Sequence, residues 1–335
     1  MKNIVKICVV IALTACDETF PYETGRFPDD APVNLTDLNT EYDEMNSNFV
    51  PSTADITINF VFSTNSLSQG QQFDLDYSLI GFLWDKESGN FSFSTNKIFD
   101  GSQSIRNSLF AINSPLHEKG PYTFVEENSN YVLFSRANSD GSFSILTEPK
   151  ISSSEEVDRS KSSFRLLDVG SSEMYPCFYG QNFLKDNEGI VSQGRPEKML
   201  FSSDRDGAFD IYEVDLPASG SVLEYLESAE EKEIQKIGIN TTANDHMPFV
   251  YGDLLVFSSD RPGGYGGYDL YYSFRSGNGW TEPENFGPKI NSEFDEYRPV
   301  VSDSWEFENQ VMIFSSNRPG GLGGFDLYFV GIPKF

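Results

Sequence analysis

A chain of 335 residues, 38% of them hydrophobic and 14% aromatic, can bury one large core or two small ones. Its formal net charge of -27 repels polyanions and excludes nucleic acid as a partner. Two of its three cysteines, Cys8 and Cys16, lie near the N-terminus, so Cys177 has no partner for an internal disulfide and stability must come from burial.

The N-terminus carries Lys2 and Lys6, the apolar run Ile7 to Leu13, and small residues ending at Ala15, the order of an export leader over residues 1–15. The run is about half the length of a spanning helix, so it is not read as one. Leu13-Thr14-Ala15-Cys16 resembles the lipobox of bacterial lipoproteins, and the resemblance implies lipidation of Cys16 and a membrane anchor. Asp17 and Glu18 follow directly, and by the same resemblance they point to the outer membrane, on its periplasmic or its surface face. Residues 16–31, with Pro21, Pro28, Asp29 and Asp30, read as a polar tether.

From residue 32 to 335 the chain repeats itself. Phe257-Ser258-Ser259-Asp260-Arg261-Pro262-Gly263-Gly264 returns 57 residues later as Phe314-Ser315-Ser316-Asn317-Arg318-Pro319-Gly320-Gly321. Twelve residues after each Phe stands the Asp of an aromatic-Asp-Leu-Tyr run, Asp269 and Asp326. The same template finds Phe201-Ser202-Ser203-Asp204 with Phe209-Asp210-Ile211-Tyr212, and Phe62-Ser63-Thr64-Asn65 with Phe73-Asp74-Leu75. A degenerate copy pairs Phe134-Ser135 with Phe143-Ser144-Ile145. A second marker recurs: Ile112-Asn113, Ile239-Asn240 and Ile290-Asn291 each precede a proline by nine residues.

Segments flanking the Gly-rich loops alternate apolar and polar residues, as half-buried antiparallel strands do. The expected fold is therefore all-β: a single β-propeller of five blades, or six if Leu79 to Ala111, with Phe93-Ser94-Thr95-Asn96, hides another. The last unit ends too early for an outer strand. Leu38-Asn39-Thr40-Glu41-Tyr42-Asp43-Glu44 parallels Ile290-Asn291-Ser292-Glu293-Phe294-Asp295-Glu296, so residues 32–37 are expected to supply the missing strand. Ser221-Val222-Leu223-Glu224 has capping-box spacing and opens an expected short helix through Lys232 on the rim. These repeats resemble the TolB-type, WD40-like propeller family, and the resemblance implies an interaction module of the cell envelope.

The chemistry-bearing residues are few. Gly263-Gly264-Tyr265-Gly266-Gly267 lacks the Lys-Ser/Thr of a phosphate loop and reads as a strand connection. Arg261 with Asp269, and Arg318 with Asp326, stand at the two ends of one loop and are expected to pair. His117, His246 and Cys177 lack zinc-ligand spacing, and no alternating acidic loop supports a calcium site, so no metal is assigned; a divalent cation has no supporting motif. An acid stands three residues before each blade-opening proline, at Glu118, Glu173, Asp245 and Glu296, with Glu44 matching by alignment. These five form a candidate binding ring around the channel; the structural alternative is that each pairs with a motif arginine.

The expected function is a lipid-anchored, non-enzymatic scaffold that holds an envelope protein partner on one propeller face, without a cofactor and without catalytic residues. The alternative is a carbohydrate-binding protein or a glycosidase that uses channel-facing carboxylates and surface aromatics such as Trp84, Trp280 and Trp305.

Overall fold

The computed structural model describes residues 21–50, 57–96, 109, 111–127, 129–148, 162–164, 166, 170–187 and 190–335. The expected leader 1–15 and Cys16 lie outside the described residues.

Five antiparallel sheets follow one another along the chain. Strand β1 (Val33–Asn34) comes first and belongs to the last sheet. The first blade is β2 (Glu44–Val50), β3 (Thr57–Thr64), β4 (Asp74–Trp84) and β5 (Phe91–Asn96); the second is β6 (Glu118–Glu126), β7 (Ser129–Ala137), β8 (Phe143–Glu148) and β9 (Ser162–Ser163). The third is β10 (Glu173–Tyr179), β13 (Lys198–Ser203), β14 (Asp210–Asp215) and β15 (Ile234–Lys236), with the hairpin β11 (Lys185–Asn187) and β12 (Ile190–Ser192) inserted after β10. The fourth is β16 (Asp245–Tyr251), β17 (Leu254–Ser259), β18 (Asp269–Ser276), β19 (Gly279–Trp280) and β20 (Glu284–Asn285). The fifth is β21 (Glu296–Ser302), β22 (Gln310–Ser316) and β23 (Asp326–Ile332), completed by β1.

Each first strand packs against the next, in the order β2, β6, β10, β16, β21 and back to β2. The ring is thus a closed five-bladed propeller. Phe93-Ser94-Thr95-Asn96 belongs to β5, the outer strand of the first blade, so it opens no sixth. The expected closure is present: Val33 pairs with Phe329 and Asn34 with Tyr328, which covers the edge of β23.

The repeat has a physical reason at every position. Its Phe (Phe62, Phe134, Phe201, Phe257, Phe314) is at most 1% exposed in all five blades, a burial that stabilises each sheet by about 1.5–3 kcal/mol. In three blades the first Ser reaches the neighbouring blade: the Ser315, Ser135 and Ser202 hydroxyls accept the N–H of Asn46, Tyr175 and Met247. The Asn of the Ile-Asn marker clamps the Leu or Ile of the aromatic-Asp-Leu run through both backbone groups. Asn291 accepts from Leu270 N–H at 2.8 Å and donates to its carbonyl at 3.0 Å, and Asn39, Asn113 and Asn240 do the same to Leu327, Leu75 and Ile211. That Asn39 clamps Leu327 explains why residues 38–44 copy a between-blade connection.

Two expectations change. The tether is not free along its length: from Tyr22 on it packs on the seam of the first and fifth blades. Phe27 is 1% exposed and stacks on Phe307 at 3.9 Å, Gly25 bridges Phe307, and the Trp84 indole donates to the Tyr22 carbonyl. The helix spans Val222–Glu227, stops short of Lys232, and buries Val222, Leu223 and Leu226 in the main core instead of riding on the rim. Its cap is as expected, with the Ser221 hydroxyl accepting Glu224 N–H. Glu126 of the second blade accepts from both the Ser221 hydroxyl and Val222 N–H, which favours a negative charge at that terminus.

Candidate functional site

Every first strand has the same irregularity. After its second residue the register with its partner shifts, and the third residue takes a left-handed φ: Asn46 (55°), Gly120 (59°), Tyr175 (56°), Met247 (58°) and Arg298 (47°). These five positions meet at the axis around Tyr175. A Cβ at Gly120 would overlap the Tyr175 ring, Met247 packs in one cluster with it, the Arg298 guanidinium lies 5.4 Å from its centroid, and its hydroxyl faces Asn46. The channel is therefore filled at this level.

The five ring acids are the first residues of β2, β6, β10, β16 and β21, so the expected equivalence around the axis holds for their backbone positions. Their side chains are buried, none more than 6% exposed. Four of them close a turn on a hydroxyl four residues earlier: Thr40 to Glu44, Ser114 to Glu118, Thr241 to Asp245 and Ser292 to Glu296. Three also hold an arginine: Asp245–Arg261 at 2.5 Å and Glu296–Arg318 at 2.8 Å use the motif arginine, and Glu118–Arg136 at 2.6 Å uses one two residues earlier in its blade. The same arginines donate to the carbonyls of Ile112, Ile239 and Ile290, tying blade to connection. Glu173 accepts the N–H of Leu166.

The expected loop pairs are corrected accordingly. Arg261 pairs with Asp245 and not Asp269; Arg318 pairs with Glu296 and not Asp326. Asp269 instead caps its Gly-rich loop, accepting Tyr265 and Gly266 N–H and the Asn285 amide, and Asp326 accepts Leu322 and Gly323 N–H and the Asn34 amide. Loop ends close in sequence were outcompeted by backbone donors that need a carboxylate where the glycines bend. Asp260 is likewise committed, to the backbone and amide of Asn244.

Burial pushes the Glu44, Glu118 and Glu296 carboxyls above the ordinary Glu range, while serine or threonine donors and, for the latter two, arginine pull them back. Glu44 has no cation partner among the described residues, because Ser66 stands where Arg261 and Arg318 stand and Thr64 where Arg136 stands; Thr64 and Thr40 hold it instead. Its environment thus differs from those of Glu118, Asp245 and Glu296.

Above the bulge level lies a feature that sequence reasoning passed over. The aromatic before each Asp of the template, Phe73, Phe143, Phe209, Tyr268 and Phe325, is half-buried, one per blade. Each leans on first-strand residues at the channel mouth: Lys119 sits 4.3 Å over Phe73, His246 stacks on Phe209 at 4.0 Å, Tyr297 touches both Tyr268 and Phe325, and Phe143 packs with Met174. The backbone of four of them is held by the residue before a ring acid. His117 Nδ1, Asn244 Oδ1, Asp295 Oδ1 and Asp43 Oδ1 accept the N–H of Phe73, Phe209, Tyr268 and Phe325 at 2.8–3.1 Å. The signal was in the template, whose aromatic position recurs in all five copies. By contrast the three tryptophans do not gather. Trp84 is covered by Tyr22, Trp280 lies on Tyr179, and Trp305 is 52% exposed with Lys86 over its ring.

Among the described residues no group of three or more His, Cys, Asp or Glu is placed to hold a metal. His117 and His246 serve the mouth, one as acceptor and one as a stacked ring, and Cys177 is buried in β10. Burial lowers His246 to about 3, helped by the charges of Arg298 and Lys119. In the unfolded chain it titrates near 6.5, so between those values the unfolded state binds the extra proton and stability is lost as pH falls. The raised carboxyls act in the opposite sense above their ordinary range, and both chains of a His246→Phe comparison share them. We expect wild type to lose about 1 kcal/mol per pH unit more than H246F between pH 6 and 4 in urea melts; equal slopes would show that His246 charges in the fold.

No protein-family model and no curated protein matches this chain. Solved structures do. A structure described as a glycoside hydrolase aligns with a TM-score of 0.53 at 7% identity, covering 93% of each chain. The endo-arabinase of Bacteroides thetaiotaomicron aligns with a TM-score of 0.51 at 13% identity over 90% of this chain and 99% of that one. A GH62 hydrolase solved with xylotriose aligns more weakly, with a TM-score of 0.48 at 11% identity over 93% of this chain and 99% of that one. At such identities the likeness establishes the five-bladed fold. It also corrects the expected kinship: the propellers matched are glycoside hydrolases, not TolB-type WD40-like proteins. The non-enzymatic scaffold with an envelope protein partner rested on that kinship and falls with it.

Proposed function

We propose that this chain is a carbohydrate-active propeller of the glycosidase kind that seats a saccharide on its channel mouth. The observation that carries the proposal is the ring of five half-buried aromatics, Phe73, Phe143, Phe209, Tyr268 and Phe325, four of them (all but Phe143) held through their backbone N–H by a side chain of the next blade. Aromatic faces accept the C–H-rich faces of sugar rings, and the intervening Lys119, Asp295 and Tyr297 offer donors and acceptors for hydroxyls. The glycoside-hydrolase names of the matched propellers support the same class.

Hydrolysis needs two carboxyl groups of unequal acidity. Three ring acids are tied to arginine and Glu44 to Thr40 and Thr64, so binding at the mouth is the part of the proposal these residues carry. Anchored through Cys16 to the outer membrane, such a mouth would meet cell-surface or imported polysaccharide. The test is a panel of polysaccharides, arabinan and xylan included, scored for binding and for released reducing ends. We expect binding that Phe209→Ala with Tyr268→Ala weakens at least tenfold. A wild-type protein that neither binds nor cleaves any of the panel contradicts the proposal.

A further inference from the structure

Arg298 is the largest fully buried side chain among the described residues, 0% exposed, and it stands at the axis on the bulge of β21. Its Nη1 donates to the Pro248 carbonyl at 2.8 Å, and its plane lies 5.4 Å from the Tyr175 centroid. Its Nε and Nη2 have no acceptor among the described residues. By contrast Arg136, Arg261 and Arg318 each hold a buried carboxylate. The groups whose charge bears on Arg298 are Cys177, Tyr175 and Tyr122, none of them an acid ionised at neutral pH.

A guanidinium cannot shed its charge in a protein, and burying one without a counter-charge costs several kcal/mol. A second donor points the same way: His246, 6% exposed and edge-on to Tyr175 at 4.9 Å, has an Nε2 without a partner. Lys119 adds a further positive charge near His246. The axis of a chain with net charge -27 is thus locally cationic and short of acceptors.

We propose that the axis holds a small monovalent anion of chloride size against the Nε and Nη2 of Arg298, with His246 as a further donor. The five bulge residues close around Tyr175, which leaves no passage for a sugar or a phosphate ester. The anion completes the charge balance of the ring where the fifth first strand carries arginine in place of the Asn, Gly, Tyr and Met of the others.

The experiment measures thermal stability of the full chain in sodium chloride, bromide or gluconate at constant ionic strength. Saturation of a site bound only in the fold is expected to raise Tm by about 4 °C in chloride and bromide over gluconate. Arg298→Met, close in volume, should abolish that difference. Crystals grown in bromide should show an anomalous peak beside Arg298, which decides the matter even if R298M fails to fold. Equal Tm in all three salts, or a bromide map without a peak at the axis, overturns the proposal. Neither outcome bears on glycan binding at the mouth.

Discussion

Replacing Arg261 by Met is expected to destabilise the protein by about 3 kcal/mol, because it leaves Asp245 buried beside Thr241 and Ser259 without its cation. The Asp245 side chain is fully buried and that of Arg261 only 10% exposed, so solvent screens the pair little. The cost has a second part: Arg261 also donates to the Ile239 carbonyl and covers the faces of Phe257 and Tyr271. Asp245→Asn should cost less, since the amide oxygen still accepts from Thr241, the amide NH2 can donate to a rotated Ser259 hydroxyl, and the arginine can turn outward. Urea denaturation checks both; R261M within about 1 kcal/mol of wild type would mean that the pair is an ornament of the fold and not a support.

Deleting residues 21–38 is expected to abolish the folded monomer. The segment buries Phe27, Leu35 and Leu38 at no more than 1% exposure, worth together roughly 5–8 kcal/mol, which is comparable to the whole stability of an ordinary domain. It also covers the edge of β23, whose hydrogen-bonding groups would otherwise invite pairing with a second chain. The deleted chain should therefore associate or fail to fold, as read by light scattering after size exclusion. A permuted chain that begins at Thr40 and carries residues 21–39 after Phe335 should recover a folded monomer, because it restores β1 and the Asn39 clamp on Leu327. A stable monomer without the segment would show that closure through β1 is dispensable.

Much of the architecture was legible in the residues because a propeller writes each structural role once per blade. The Phe of the motif, the Asn of the marker and the closing segment all recur at fixed offsets, and the offsets alone placed β1. Side-chain direction was less legible. The ring acids were found by position, yet spacing could not tell that Glu118, Asp245 and Glu296 turn back to Ser114, Thr241 and Ser292 and take the arginines with them. That pattern, a hydroxyl residue four before every ring acid but Glu173, was available in the sequence and marks those four acids as parts of a capped turn. The mouth aromatics were also in view, but as half of a ruler; only packing showed that Phe209 and Tyr268 lean on His246 and Tyr297. Arg298 occupies the same pre-proline position as Tyr175 and Met247, so nothing in its neighbours announced a buried cation. The segment 21–31 looked like a tether because its prolines and aspartates dominate its composition; Phe27 decides its fate, since one aromatic seated between Phe82 and Phe307 outweighs the polar remainder.

The central claim is that saccharide sits on the aromatic mouth. A crystal structure with an oligosaccharide chosen from the binding panel tests it most directly. We predict a sugar ring in contact with Phe209, Tyr268 or Phe325, above the level of Tyr175 and Arg298. Sugar density confined to the outer edges of the blades, at Trp280 or Trp305, with an unoccupied mouth, would contradict it.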